Sequence, residues 1–136
     1  MIKIGVIGYG YWGPNLVRNF AELGRAQLSA VADLDQKKLD LVARRFPAVQ
    51  TTTDFQDLLR DPQIDAIAIA TPVNTHFELG MAVLKAGKHL WLEKPMTETS
   101  LQARKLVDEA EKRKLVLHVD HTFIYTGAVK KMGELV

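Results

Sequence analysis

The apolar residues of this chain fall in short runs that alternate with amphipathic segments. Ile2–Ile7 and Ala26–Ala32 are apolar runs that predict buried strands. Between them, Pro14 suits the first turn of a helix, apolar residues recur at helical spacing, and Gly24 is a natural end. The chain is therefore expected to begin with a strand, a helix and a second strand.

The same alternation continues to about residue 120. Four more strands are expected: 49–52, 65–70, 89–92 and 115–119. Four more helices are expected: 35–46, a short one capped by Thr53 or Asp54, 74–84 capped by Asn74, and one from Thr99 or Ser100 to about 113 with Leu101, Leu106 and Val107 inward. Strands that alternate with helices predict an α/β fold with a doubly wound parallel sheet between two helical layers, the three-layer α/β/α Rossmann fold.

The composition excludes several classes of function but does not identify one. The 136 residues contain no cysteine, so disulfides and thiolate chemistry are excluded, and no apolar run approaches the length of a membrane span. The start of the chain lacks a secretory cleavage pattern, which favours the cytoplasm. The net charge is only +2, and the basic clusters at 44–45 and 112–114 are interpreted as solvated helix ends, so neither nucleic acid nor membrane is expected as a partner.

A glycine-rich turn follows the first predicted strand directly and precedes the first helix. Residues 8–13 read G-x-G-x-x-G, with Gly8, Gly10 and Gly13 at the three glycine positions. In this context the first glycine permits the turn, the second lets the backbone approach a pyrophosphate, and the third allows close packing of helix and strand. The unpaired N–H groups of the helix then face the phosphates, so the sequence predicts a dinucleotide site.

A carboxylate closes the second predicted strand. Asp33 lies 20 residues after Gly13, where it can accept hydrogen bonds from the ribose diol of an adenosine. With Asp35 close by, a 2′-phosphate would meet two negative charges, and Lys37 and Lys38 are the nearby compensation. NAD is therefore the favoured cofactor and NADP the alternative. Asp33 could instead serve as the N-cap of the next helix.

Two later strand ends carry further patterns. The fourth predicted strand ends in T-P-x-x-x-H, from Thr71 to His76, and the fifth ends in E-K-P, from Glu93 to Pro95. These two patterns, in this order after G-x-G-x-x-G, closely resemble the Gfo/Idh/MocA family of glucose-fructose oxidoreductase, inositol dehydrogenase and their relatives. Residues 119–125, V-D-H-T-F-I-Y, resemble members that act on nucleotide-linked or amino sugars.

The resemblance implies an NAD-dependent oxidation of a sugar, nucleotide-sugar or polyol hydroxyl. Lys94 corresponds to the family's active-site lysine, which contacts the reacting hydroxyl and the nicotinamide ribose. The resemblance also assigns cofactor contacts at the ends of the fourth and fifth strands, namely Thr71, Pro72, Asn74, His76 and Glu93. Pro95 follows Lys94 at a strand end, where a cis peptide bond is possible.

Several of these residues have simpler interpretations, which stay open. Asn74 is also a good helix cap, and His76 could be a first-turn histidine in contact with water. Tyr11 and Trp12 could form a wall of the nicotinamide pocket or pack the turn onto the sheet. His121 could contact substrate or lie in a solvent-facing turn. His118 and His121 lack a third ligand at suitable spacing, so no metal site is expected.

The chain departs from the family at its C-terminal side. Residues 1–120 are expected to form the NAD(P)-binding Rossmann domain, and 121–136 a turn and helix leading to a C-terminal substrate domain that this chain lacks. The full-length enzyme is expected to form a homo-oligomer, and this chain alone to bind cofactor without turnover. A noncatalytic NAD-sensing module and an S-adenosylmethionine-dependent methyltransferase are the alternatives.

Overall fold

The computed structural model describes residues 1–135, and strands alternate with helices along this part of the chain. The strands are β1 (Ile2–Ile7), β2 (Ala26–Ala32), β3 (Gln50–Thr52), β4 (Ala66–Ile69), β5 (His89–Glu93) and β6 (Leu117–Asp120). The helices are α1 (Gly13–Glu22), α2 (Gln36–Arg45), α3 (Phe55–Arg60), α4 (Val73–Lys85), α5 (Ser100–Arg113) and α6 (Gly127–Leu135), with a 3₁₀ helix at Thr122–Tyr125. Residue 136, the last of the predicted final helix, lies outside the described residues.

The strands form one sheet in the order β3-β2-β1-β4-β5-β6, and every neighbouring pair is parallel. Ile7, at the end of β1, lies beside both Ala32 of β2 and Ile69 of β4. The chain thus leaves β1 toward one side of the sheet and later returns to build the other side. This strand order confirms the doubly wound fold and places its switch point at the carboxyl end of β1.

Helices cover both faces of the sheet, which explains why the strands are apolar almost throughout. One core lies under α1 and α2, where Val17 and Leu39 pack against Val31. The other core lies under α3, α4 and α5, where Leu84 and Leu106 pack against β4 and β5. The three-layer α/β/α arrangement is therefore confirmed.

Two predictions about helix α5 side chains are wrong. Leu101 is 62% exposed and Val107 is 39% exposed, whereas Leu106 is fully buried. The buried stripe of α5 follows Leu106 and Ala110, one helical turn apart. Because Leu101 and Val107 lie well to either side of that stripe at 100° per residue, neither reaches the core.

The predicted cap of α4 is also wrong. Pro72, not Asn74, is the N-cap residue, and Asn74 is an exposed residue of the first turn. The other capping predictions are resolved within the alternatives given. Asp54 caps α3, and Thr99 caps α5 through a capping box with Gln102.

The last strand begins later than predicted, at Leu117. Lys114 adopts a left-handed conformation with φ of 58°, and the Leu115 N–H donates to the Ala110 carbonyl. These contacts terminate α5 in the manner of a C-terminal helix cap, so residues 115 and 116 belong to the turn. Within residues 1–135, every helix is too short or too polar to cross a membrane.

Candidate functional site

A cleft of about 1430 Å³ runs along the carboxyl ends of the strands. This volume exceeds the ~300–1,000 Å³ of most small-ligand pockets and suits an extended ligand. Of the predicted site residues, nine line the cleft: Gly8, Gly10, Tyr11, Trp12, Asp33, Thr71, Pro72, Glu93 and Lys94. The other four, Gly13, Asn74, His76 and His121, lie outside its lining.

The three glycines of the turn do different things. Gly8 has a φ of 97°, and a Cβ there would lie 2.7 Å from the carbonyl oxygen of Ala70. A Cβ on Gly13 would collide with the carbonyl oxygen of Gly8, so these two glycines bring the turn, β4 and α1 close together. Gly10 is exposed and has open space where a Cβ would point. It is the position at which an outside group can approach the backbone.

Tyr11 and Trp12 are exposed residues of the same turn. Their rings stack with centroids 6.4 Å apart, and both line the cleft. Tyr9, by contrast, packs into the core under α1. The aromatic residues that anchor the turn and those that face the cleft are therefore different.

The side chain of Asp33 is held in a fixed position at the end of β2. Its Oδ2 accepts a hydrogen bond from the Tyr9 N–H at 2.6 Å, and its Oδ1 accepts one from the Asp35 N–H at 2.9 Å. The Lys38 Nζ lies 3.5 Å from Oδ1. A carboxylate offers about four acceptor sites, so one remains for a ligand hydroxyl. The cap of α2 is Asp35, not Asp33, so the helix-cap interpretation of Asp33 is wrong.

His76 is buried and contacts the backbone of two loops. Its side chain is 1% exposed, with Nε2 2.9 Å from the Thr71 carbonyl oxygen and Nδ1 3.0 Å from that of Pro95. Both ring nitrogens are thus occupied by the backbone of the two loops that follow β4 and β5. The predicted direct contact of His76 with a cofactor does not fit this burial. In this position His76 holds together the two loops that carry Thr71 and Lys94.

Lys94 is exposed at the mouth of the cleft, directly after β5. The peptide bond between Lys94 and Pro95 is cis. The neighbouring Glu93 is buried, and its pKa is raised to about 7 because burial removes water from its carboxyl group and because Asp120 lies beside it. Lys94 and Glu93 therefore place an exposed cation and a buried carboxyl of raised pKa side by side at this end of the cleft.

The segment after β6 completes this end of the cleft. Thr122, Phe123 and Thr126 line it, whereas His121 is exposed outside the lining. Sequence reasoning missed these three residues, and it missed Asp120, which is buried at the end of β6. The available signal was position, since Asp120 ends and Thr122 follows a strand whose carboxyl end lies at the same sheet edge as Asp33 and Lys94.

At the opposite end of the cleft, sequence reasoning also missed Leu34 and Phe55, which line it beside Asp33. Leu34 is an apolar side chain left exposed in a turn. Such a residue beside a cleft can pack against a flat apolar ligand surface. Among residues 1–135, no three His, Cys, Asp or Glu side chains are grouped so as to hold a metal ion.

A family profile described as "Oxidoreductase family, NAD-binding Rossmann fold" matches residues 2–121, which is most of the chain. The chain belongs to the Gfo/Idh/MocA oxidoreductase family. The resemblance read from the three sequence patterns is thereby confirmed, and the methyltransferase alternative is left without support.

Members of this family resemble the chain in sequence over most of its length. The uncharacterized oxidoreductase YdgJ of Escherichia coli is 38% identical over 121 residues, covering 88% of this chain and 34% of the relative. Myo-inositol 2-dehydrogenase of Thermotoga maritima is 29% identical over 135 residues, covering 99% and 40%. A dTDP-3,4-didehydro-2,6-dideoxy-alpha-D-glucose 3-reductase of Saccharopolyspora spinosa is 30% identical over 127 residues, covering 93% and 38%.

Solved structures of Gfo/Idh/MocA-like proteins share the fold closely. GenD2 from gentamicin A biosynthesis, in complex with NAD, superimposes with a TM-score of 0.93 at 28% identity and covers 98% of this chain. Biliverdin reductase from Synechocystis, in complex with biliverdin and NADP+, has a TM-score of 0.90 at 29% identity and also covers 98%. These matches span 38% and 42% of those chains, so this chain spans about two fifths of the length of its relatives.

Proposed function

We propose that this chain is the cofactor-binding domain of an NAD-dependent dehydrogenase that oxidises a hydroxyl of a sugar, nucleotide sugar or polyol. The observation that carries the proposal is the order of groups along one cleft. Asp33, the glycine turn, Thr71 and Lys94 follow β2, β1, β4 and β5, which is the order of these strands in the sheet. That order matches an extended dinucleotide with its adenosine at Asp33 and its nicotinamide at Lys94.

The residues present fit such a cofactor. The free acceptor site of Asp33 suits the adenosine ribose diol, and the open space at Gly10 suits the pyrophosphate. The first turn of α1, which starts at Gly13, contributes the positive end of the helix dipole at the same place. When bound, NAD supplies a nicotinamide ring that accepts a hydride.

Lys94 would act on the substrate. Its ammonium group is accessible from the cleft and can hydrogen-bond the oxygen of the reacting hydroxyl, holding or moving the proton at Nζ. Thr122 lines this end of the cleft and would contact substrate together with His121, which is exposed next to it but outside the lining. Further substrate contacts would come from the rest of a longer protein, because the relatives are more than twice as long as this chain.

The substrate class is supported by the relatives. One acts, by name, on myo-inositol and another on a dTDP-linked sugar. Myo-inositol carries ring hydroxyls, and the dTDP-linked sugar is named as the substrate of a 3-reductase, so its reacting group is a ring ketone, the oxidised form of a ring hydroxyl. Both names therefore support a reaction that interconverts a ring hydroxyl and a ketone. A panel of nucleotide sugars and polyols, assayed with NAD on the full-length protein, tests this proposal. Turnover with none of them would contradict it, and so would turnover by the 136-residue chain alone.

The choice of NAD over NADP rests on Asp33 and is tested by binding. We expect NADH to bind more tightly than NADPH, because Asp33 and Asp35 would repel a 2′-phosphate. The change Asp33→Ala should reduce the ratio of the NADH affinity to the NADPH affinity by a few-fold to about a hundredfold, which is the effect of a lost hydrogen bond to a charged group. Fluorescence titration with both cofactors measures this.

The exposed Asp40 of α2 offers a matched control, since it is an aspartate seven residues after Asp33 that lies outside the cleft. Asp40→Ala should leave the ratio of the two affinities unchanged. Equal affinities for NADH and NADPH in the unaltered chain, or a preference for NADPH, would exclude the assignment of NAD.

A further inference from the structure

Two buried carboxyl groups lie side by side behind the Lys94 end of the cleft. Glu93 and Asp120 end β5 and β6 and are direct partners in the parallel pairing of these strands. They are 7% and 8% exposed. Within residues 1–135, no lysine, arginine or histidine forms an ion pair with either of them. The negative charge of this buried pair must therefore be reduced by some other means.

A shared proton is the means that the contacts favour. Glu93 Oε1 is buried without a donor, while Asp120 Oδ1 accepts a hydrogen bond from Thr122 Oγ1 at 3.2 Å. Two carboxylates cannot donate to each other, whereas a proton on one of them supplies the missing donor. The pKa of Glu93 is raised to about 7, chiefly because burial removes water from its carboxyl group and also because Asp120 lies beside it, while Lys94 opposes the rise.

The surroundings contain few other groups that could titrate with this pair. Lys94 follows Glu93 in the chain, and its charge acts on the Glu93 carboxyl. His118 precedes Asp120 by two residues on the same face of β6, where its ring packs on Trp91 with centroids 4.6 Å apart. His121 follows Asp120 and is exposed. Thr122, on the segment packed beside the pair, is neutral.

The position of the pair connects it to the cofactor. Glu93 itself lines the cleft next to Lys94, and Asp120 leads into Thr122 and Phe123, which line it from the other side. Under the proposed function, this end of the cleft receives the nicotinamide. Its ring is a cation in NAD+ and neutral in NADH, so an additional negative charge nearby favours the oxidised form.

We propose that Glu93 and Asp120 share one proton and lose it more readily when a cationic nicotinamide is bound, so that the pair sets the relative affinity of the domain for NAD+ and NADH. This inference rests on the proposed function. The proton passes from the Glu93 carboxyl to solvent, and no bond of the cofactor forms or breaks on binding. By linkage, NAD+ binding releases protons and rising pH favours NAD+. Glu93 and Asp120 thus act on the bound cofactor through their charge and are positioning residues, not catalytic ones.

The ratio of the two dissociation constants tests the proposal, because contacts with the adenosine and the pyrophosphate are common to both forms and cancel. Kd is measured for NAD+ and NADH by calorimetry. From about pH 6 to about pH 8.5, Kd(NADH)/Kd(NAD+) should rise by roughly three- to tenfold as the pair gains a charge. In Glu93→Gln and in Asp120→Asn the rise should be less than about twofold, since only one acid remains.

His118→Gln is the matched control, because it removes a neighbouring titratable group on the same strand face and leaves the acid pair intact. It should keep the rise seen in the unaltered chain. A ratio that stays constant with pH while both cofactors bind would overturn the role of the pair alone, as would a full rise in Glu93→Gln. Failure of both cofactors to bind the unaltered chain would instead overturn the proposed function, and this inference with it.

A second measurement reads the shared proton without cofactor. Carbon-13 NMR of the side-chain carboxyl groups should show Glu93 titrating near neutrality in the unaltered chain. In Asp120→Asn the titration midpoint of Glu93 should move down by about one pH unit or more, because the neighbouring charge is gone. If Glu93 and Asp120 both titrate fully in the ordinary acidic range, the two acids do not share a proton and the proposal is wrong.

Discussion

Lys94 and Glu93 are adjacent in sequence yet face different environments. Both line the cleft, but Glu93, the last residue of β5, is buried, whereas Lys94 is exposed. A single dipeptide at the end of β5 therefore supplies both an exposed cation and a buried acid to one end of the cleft.

The role of Lys94 is tested by its removal in the full-length enzyme. We expect Lys94→Ala to lower turnover about a hundredfold or more, as for the loss of a group that takes part in proton transfer. NAD affinity should change far less, because the adenosine and pyrophosphate contacts remain. Lys94→Arg should not restore turnover, since a guanidinium keeps its proton and differs in shape.

Lys105, an exposed lysine of α5 away from the cleft, provides the control. Lys105→Ala should have normal turnover. A Lys94→Ala enzyme with normal turnover would leave Lys94 an ordinary surface residue, and the protein would then be better described as an NAD-sensing module.

In the turn between β1 and α1, different glycines serve packing and ligand access. Gly8 and Gly13 permit close packing of the turn, while Gly10 leaves space at its outer side. The helix that follows has no side-chain cap, and Trp12 is its N-cap residue. The Asn15 N–H donates to the Trp12 carbonyl and Pro14 has no N–H, so what the start of α1 offers an outside acceptor is chiefly the positive end of its dipole.

This division predicts that Gly10→Val abolishes NADH binding while the domain stays folded. The valine side chain would occupy the space that the pyrophosphate needs, and beyond Gly10 and its two chain neighbours no heavy atom of the protein lies within 4 Å of the Cβ position. Gly24→Val is the control, because Gly24 is also exposed with open space but lies outside the cleft. Circular dichroism measures folding, and titration measures binding. Normal NADH binding by a folded Gly10→Val chain would remove the turn from the site.

The molecule as a whole carries a cost for its buried acid. The pKa of Glu93 is raised to about 7 by burial and by Asp120, whereas the usual value is 4.5. Between these two values the folded state binds more protons than the unfolded state, so folding stability falls as pH rises through that window. Glu109 behaves oppositely, since its hydrogen bond with Arg113 lowers its pKa. The contribution of Glu109 to folding stability is therefore nearly complete above the usual pKa of a glutamate.

We therefore expect Glu93→Gln to stabilise the chain more at about pH 8 than at about pH 5, by roughly 1 to 2 kcal/mol in the free energy of unfolding. Urea denaturation at both pH values measures this. Glu109→Gln is the control and should change stability nearly equally at the two pH values. A stability difference for Glu93→Gln that does not grow with pH would show that the pKa of the Glu93 carboxyl is not raised in the folded chain.

The sequence by itself determined the order and type of the elements, because strand and helix periodicity and glycine placement are local properties. It also determined the glycine turn, Asp33 and the E-K-P strand end, since short motifs carry the backbone geometry they require. Only the tertiary structure decided which residues meet across strands. The pairing of Glu93 with Asp120, the burial of His76 between two loops and the exposure of Leu101 depend on register and on packing. Those contacts join residues distant in the chain, and local pattern carries no information on which distant side chain will lie opposite.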